Sequence, residues 1–319
     1  MKLNWELLLN DSGQFPRTFF FEEASSERFR YGINEHLQYC LYLHLPEYAG
    51  NQPIEPVILA NVSLVEEVVE RKNTLILTLL NDRCKNLFGD LILNIVTQSN
   101  TFGDKNIKQG FIGICNEWFD LFDPPASGLR KEEVQGIFAE LDFLRFLLLN
   151  SKFSYNEVIS SWKGPYGKGH DFELGENHFE IKGIAEHRSM VAISSEYQLD
   201  FIQSQNLFLI VYGFATSNNT GTSLNELVTE IAATLRSRTA TNMKLFWTAL
   251  GKVGISNNNA KDYDHYLFIV LSNTYYDCTS AGFPSIKRSF IPDAIRNVKY
   301  ELSLGALLSY KKDDLTLHI

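Results

Sequence analysis

Three acids and one base in the second half of the chain have the types and spacing for one reaction: Glu140, Asp171, Glu180 and Lys182. The last three lie in HDFELGENHFEIKG, residues 170–183. Phe172, Leu174, Phe179 and Ile181 there alternate with Asp171, Glu173, Glu180 and Lys182, the period of two strands with one apolar face. Gly175-Glu176-Asn177 supplies the residues of a tight turn. A hairpin folded there brings Asp171 close to Glu180 and puts Lys182 on the face that carries Glu180. Crowded carboxylates raise one another's pKa unless a cation joins them. Hard oxygen donors suit Mg²⁺, which prefers them and keeps several waters. Such an ion lowers the pKa of a bound water and offsets charge on a phosphate. A lysine beside it can position or deprotonate that water and stabilise a pentavalent phosphate.

Each piece alone is weak. Glu140 has Ile137, Phe143 and Leu144 at helical spacing, and an acid on an apolar stripe is costly unless paired or metal-bound. An acid at the edge of the stripe, half in water, explains that feature equally well. The hairpin alone fits a solvated surface ribbon better than a site. Glu-x-Lys recurs at Glu70-Arg71-Lys72, in a stretch that reads as a solvated helix. The placement of Glu140 upstream of the hairpin shifts the balance towards a site.

Glu on a helix, then Asp, then Glu-x-Lys on the next strand resembles the PD-(D/E)xK nuclease superfamily. The closer resemblance is to a bacterial PD-(D/E)xK family (domain of unknown function 4420) often encoded beside restriction–modification or phage-defence genes. WFDLF, EEVQGIFAELDFLRFLL, SWKGPYGKGHDFEL, FEIKG, ISSEYQLD, SLNELV and GFP carry it, in that order, best over about residues 115–285. The resemblance implies that Asp171 and Glu180 are metal ligands, with the Ile181 carbonyl as a third. Glu140 would be a further ligand, direct or through water. Lys182 would be the catalytic lysine, and Gln198 a polar residue near the site. The position before Asp171 is His170, where the motif often has proline; many relatives do without it. The implied activity is a Mg²⁺-dependent DNA endonuclease, with Mn²⁺ able to substitute, acting in defence against foreign DNA. Its implied partners are DNA and a second copy of the chain or other defence proteins, such as a methyltransferase or an ATPase. Two alternatives stand beside it: a non-cleaving structural or DNA-binding subunit, and a metal-dependent enzyme acting on a nucleotide.

Other chemistries have less support. GPYGKGH has glycines and Lys168, but no Ser or Thr follows the lysine and a strand follows the loop, so it fails as a phosphate-binding loop. His170, His178 and His187 are too loosely spaced for a zinc site. The four cysteines form no CxxC pair and read as reduced. There is no GxSxG motif, and Cys115 has no identifiable histidine partner. Lys163, Lys168, Arg188, Arg236, Arg238, Lys287 and Arg288 are the basic residues that could meet phosphates, but they are mixed with acids. The net charge of −9 excludes a protein that coats nucleic acid by bulk charge.

The elements that must position these residues begin after DPPASG, residues 123–128, which reads as a boundary. Residues 126–275 are expected to form a restriction-endonuclease-like α/β core, a mixed central sheet flanked by helices. The pattern there predicts a helix of about 20 residues from 130, a short helix near 156–162, and the hairpin. Strands at 190–195 and 206–216 and helices over 223–238 and 240–252 follow, then a strand over 265–272. Residues 276–319 read as an extension packed on that core. Residues 1–125 read as a strand-rich α+β domain for target recognition or partner docking. Strands are expected there at 39–45, 56–62 and 73–80, with helices over 63–73 and 82–96. The N-terminus has no secretory pattern and no apolar run is long enough to span a membrane, so a cytoplasmic location is expected.

Overall fold

The computed structural model describes residues 3–10, 15–21, 28–46, 53–99, 101–122, 128–167, 169–217, 219–238, 240–256 and 259–315. Most of the expected boundary, residues 123–127, lies outside them, as does Lys168. The chain divides into two compact units, one of residues 1–125 with 256–258, the other of 126–255 with 259–319.

The first unit holds α1 (Trp5–Asn10), β1 (Arg17–Phe20), β2 (Phe29–Ile33), β3 (Tyr39–His44), β4 (Val57–Ile58), β5 (Val62–Val69), β6 (Lys72–Leu79), α2 (Lys85–Ser99) and α3 (Ile107–Phe119). Its strands form one antiparallel sheet in the order β1-β2-β3-β6-β5-β4. Three expectations need correcting. Residues 63–73 are a hairpin instead of a helix: β5 turns at Glu70-Arg71 into β6. Val62, Val65, Val68 and Val69 favour the extended chain. The turn was concealed because both of its residues adopt positive φ, 50° and 66°, without the Asn-Gly or Gly-Gly pair that usually marks such turns. Of the strand expected over 56–62, only Val57–Ile58 forms before β5 begins. The helix α3 had not been expected; it buries Phe111, Ile114, Cys115 and Trp118 on one side.

The second unit holds α4 (Lys131–Asn150), α5 (Tyr155–Ser161), β7 (Phe172–Leu174), β8 (Asn177–Ala185), β9 (Met190–Ile193), β10 (Asn206–Ser217), α6 (Leu224–Arg236), α7 (Met243–Lys252), β11 (Leu267–Asp277), β12 (Tyr300–Ser303) and β13 (Lys311–Lys312). Its central sheet runs β13-β11-β10-β8-β7. β8 and β10 are parallel and the other pairs antiparallel, so the sheet is mixed. β9 does not join this sheet. It pairs with β12 in a separate two-stranded ribbon, whose Val191, Ile193 and Leu302 share a core with Leu207, Leu209 and Val211 of β10. On the opposite face Phe138 and Phe143 of α4 meet Phe214, Phe172 and Phe179. Ser223 and Glu226 cap α6 reciprocally, as the sequence predicts. Cys40, Cys84, Cys115 and Cys278 are all buried free thiols. Among the described residues no helix is long and apolar enough to cross a membrane.

Candidate active site

The site is built where the hairpin opens. β7 and β8 pair only from Phe172↔Phe179 to Leu174↔Asn177. The turn is therefore Gly175-Glu176, with Asn177 already in the strand, and Gly175 takes the positive φ of 63° that the turn requires. Beyond Phe172 the two strands separate. Asp171 fills the gap with its side chain: Oδ2 accepts the Ile181 N–H at 2.7 Å. The Asp171 carbonyl accepts the N–H groups of Lys163 (2.7 Å) and Gly164 (3.1 Å), which fastens the preceding loop to the same point.

Glu140 arrives from α4. It shares a helix face with Phe143 three residues on. Phe143 packs against Phe172 and Phe179 at ring separations of 5.1 and 5.0 Å. That contact sets the helix on the hairpin and carries Glu140 to its open end. Trp162 stacks on Phe172 and donates its indole N–H to Glu140 Oε2 at 2.6 Å. Gly164 forms the floor. A β-carbon there would collide with Glu140 Oε2 and stand 3.3 Å from Asp171 Oδ1. The absence of a side chain at 164 therefore lets the two carboxylates converge.

Glu180 and Lys182 alternate on one face of β8, and Lys182 Nζ donates to Glu180 Oε1 at 2.6 Å. Glu180 is 1% exposed and Lys182 17% by side chain. The half-buried Lys182 thus faces buried Glu180 and half-buried Asp171 and Glu140. Burial, and then the Asp171 charge, pushes Glu180 up to about 8 against the pull of Lys182. Burial is also the first cause that lifts Glu140 well above the carboxylate range, followed by Asp171 and opposed by the Trp162 bond. Asp171 is raised by burial, with Lys182 and the Ile181 N–H acting against it. Burial works to lower Lys182, but Glu180 and Asp171 outweigh it and hold the ammonium charged. Each carboxylate gives one oxygen to a donor of the protein. Glu180 also accepts the Asp171 backbone N–H. Such a set of hard, crowded and under-neutralised donors fits a divalent cation with oxygen preference.

A family model described as "Putative PD-(D/E)XK family member, (DUF4420)" matches residues 1–305. The chain belongs to that family. Neither a curated protein nor a solved structure matches it. The mixed α/β architecture of the second unit is consistent with the nuclease-like fold that PD-(D/E)XK membership brings.

Other residues singled out in this PD-(D/E)XK chain are placed differently. Gln198 accepts the Ser194 N–H at 2.6 Å in the loop after β9, and no described contact joins it to the carboxylates. Arg288 is taken up by protein: it donates to the Ile295 carbonyl and to Asp293, and stands 4.0 Å from buried Glu196. Lys287 lies over the Phe201 ring at 3.8 Å and Arg238 over Tyr155 at 5.7 Å. Lys163 is half-buried and Arg188 exposed. The histidines depart most from expectation. His170 and His178 are buried with Nδ1 atoms 3.0 Å apart, although eight positions separate them in sequence. Hairpin pairing closes that separation. Trp162 and Gly164 were legible only as parts of the motif SWKGPYGKGHDFEL; nothing in their types alone marks them.

Proposed function

We propose that this chain is a metal-dependent DNA endonuclease that hydrolyses phosphodiester bonds. The observation that carries the reading is the excess of carboxylates, buried Glu180 with half-buried Glu140 and Asp171, over the single Lys182 in a PD-(D/E)XK family member. Asp171, Glu180 and the Ile181 carbonyl would hold Mg²⁺, or Mn²⁺ in its place, with Glu140 as a further ligand. A bound ion of this class supplies charge neutralisation at the phosphate and a more acidic water. Lys182 stays protonated beside Glu180 and is placed to orient a water and to stabilise negative charge on the phosphate. Trp162 and the Ile181 N–H fix the orientation of Glu140 and Asp171, so little reorganisation is needed when substrate binds. The basic residues are few and several are tied to protein groups. A second copy of the chain, or partners such as a methyltransferase or an ATPase, would then complete the grip on DNA, in restriction or anti-phage defence. Residues 1–125 would read the target or dock those partners.

The test is cleavage of plasmid and phage DNA, methylated and unmethylated, with RNA alongside, in Mg²⁺ or Mn²⁺. Wild type is run beside Asp171→Asn and Lys182→Ala. Metal-dependent cutting by wild type and none by either variant is expected. Cutting that survives both substitutions overturns the assignment of the site.

A further inference from the structure

A second set of ligand-type side chains lies on the same hairpin. Glu173 of β7 stands directly opposite His178 of β8, and His170 precedes Asp171. One ring nitrogen of each histidine and one Glu173 oxygen all lie within 4.8 Å of one another. The two Nδ1 atoms are 3.0 Å apart. Two imidazole nitrogens on one tetrahedral zinc, with bonds of about 2.0–2.1 Å, stand roughly 3.3 Å apart. The rings are nearly perpendicular, at 80°. His170 Nε2 is 2.9 Å from the Asp200 carbonyl. Donation there fixes the tautomer and leaves the Nδ1 lone pair facing His178, the usual outer support of a metal-bound histidine. Glu173 is half-buried, with Oε1 folded over Gly169 where a β-carbon would collide with it.

We propose that His170, Glu173 and His178 form a second metal site, for a Zn²⁺-class transition ion. Two imidazoles and a carboxylate favour borderline ions over Mg²⁺, whose ligands are all oxygen. Three protein ligands leave a position for water. The ion would tie together the start of β8, the segment leading into β7 and, through His170, the Asp200 loop. It would act as a staple on the strands that present Asp171 and Glu180. This inference does not rest on the nuclease reading. The competing arrangement is a plain hydrogen bond, with His178 Nδ1–H donating to His170 Nδ1.

The full chain, stripped by a chelator, is titrated with Co²⁺ alone and followed by its visible d–d absorption. Zn²⁺ is then titrated against a chromophoric chelator. One equivalent is expected to bind, unmoved by excess Mg²⁺ and retained in the Asp171→Asn/Glu180→Gln double variant, which disables the carboxylate cluster. His178→Asn and Glu173→Gln should each weaken binding by about a hundred-fold or more, since even outer-sphere changes cost 10–100-fold. Glu173 is not fully buried, so Glu173→Gln carries the test if His178→Asn fails to fold by circular dichroism. Absence of a stoichiometric Co²⁺ spectrum in folded wild type overturns the proposal in favour of the hydrogen bond. An unchanged spectrum in Glu173→Gln overturns it equally.

Discussion

Two hairpins in this molecule carry the same Glu-x-Lys triplet. In the first unit, Glu70-Arg71-Lys72 straddles the β5–β6 turn. Glu70 is 61% exposed there and meets Arg30 at 3.3 Å across the surface. In the second unit, Glu180-Ile181-Lys182 lies in the middle of β8, with Glu180 almost fully buried and two further acids converging on it. The triplet is identical in type and differs in everything that gives it chemistry. At a turn, water screens each charge and the pair is worth little. In mid-strand, the alternation forces glutamate and lysine onto one face, and burial makes their charges matter to each other. Spacing alone therefore does not define a site; an unbalanced buried charge does.

The comparison can be broken by exchanging the fates of the two triplets. The largest effect is expected from Lys182→Ala, which should lower DNA cutting by about 10²–10⁴-fold, while Lys72→Ala leaves it unchanged. Equal rates for the two variants would remove Lys182 from the reaction. Next comes thermal stability in Mg²⁺. At about 100 times its dissociation constant, a bound ion adds roughly 2.7 kcal/mol. Melting curves should show that gain in wild type and in Glu70→Gln, and lose it in Glu180→Gln.

A smaller effect is pH dependence without metal. The folded pKa of Glu180 lies above its ordinary value of 4.5, at about 8, so the folded state binds more protons in that window. Its contribution to stability is fully present below about pH 4.5 and is lost as pH rises through about 8. Melting temperature should fall across that window in wild type, and the fall should be shallower in Glu180→Gln. The smallest effect belongs to the other hairpin. Arg71→Gly relieves a positive φ of 66° and should add up to about 1 kcal/mol in denaturant unfolding.

Much of the second unit was legible because period and chemistry agree there. Phe172, Leu174, Phe179 and Ile181 announce the hairpin, and the apolar stripe of residues 134–148 announces α4. Glu140 stood out because it interrupts that stripe. The pieces that escaped are those fixed by contacts remote in sequence. β9 looks like one more strand of the central sheet, but its partner is β12, more than a hundred positions on. His170 and His178 looked scattered because linear spacing ignores the register that folds them together. The β5–β6 hairpin escaped for a local reason: its turn uses glutamate and arginine where glycine or asparagine gives the usual signal.

The hydrogen bond from Ile181 to Asp171 has one more consequence. β7 begins only at Phe172, so the Ile181 N–H of β8 would otherwise be an open docking point for any extended chain. The Asp171 carboxylate occupies it as a covalently attached stopper. A variant with alanine at 171 uncovers that stretch of strand edge, and its first symptom should be self-association, whatever happens to cutting. Asparagine keeps the acceptor oxygen and so keeps the stopper. The two substitutions thus separate the job of guarding the sheet from the job of holding charge.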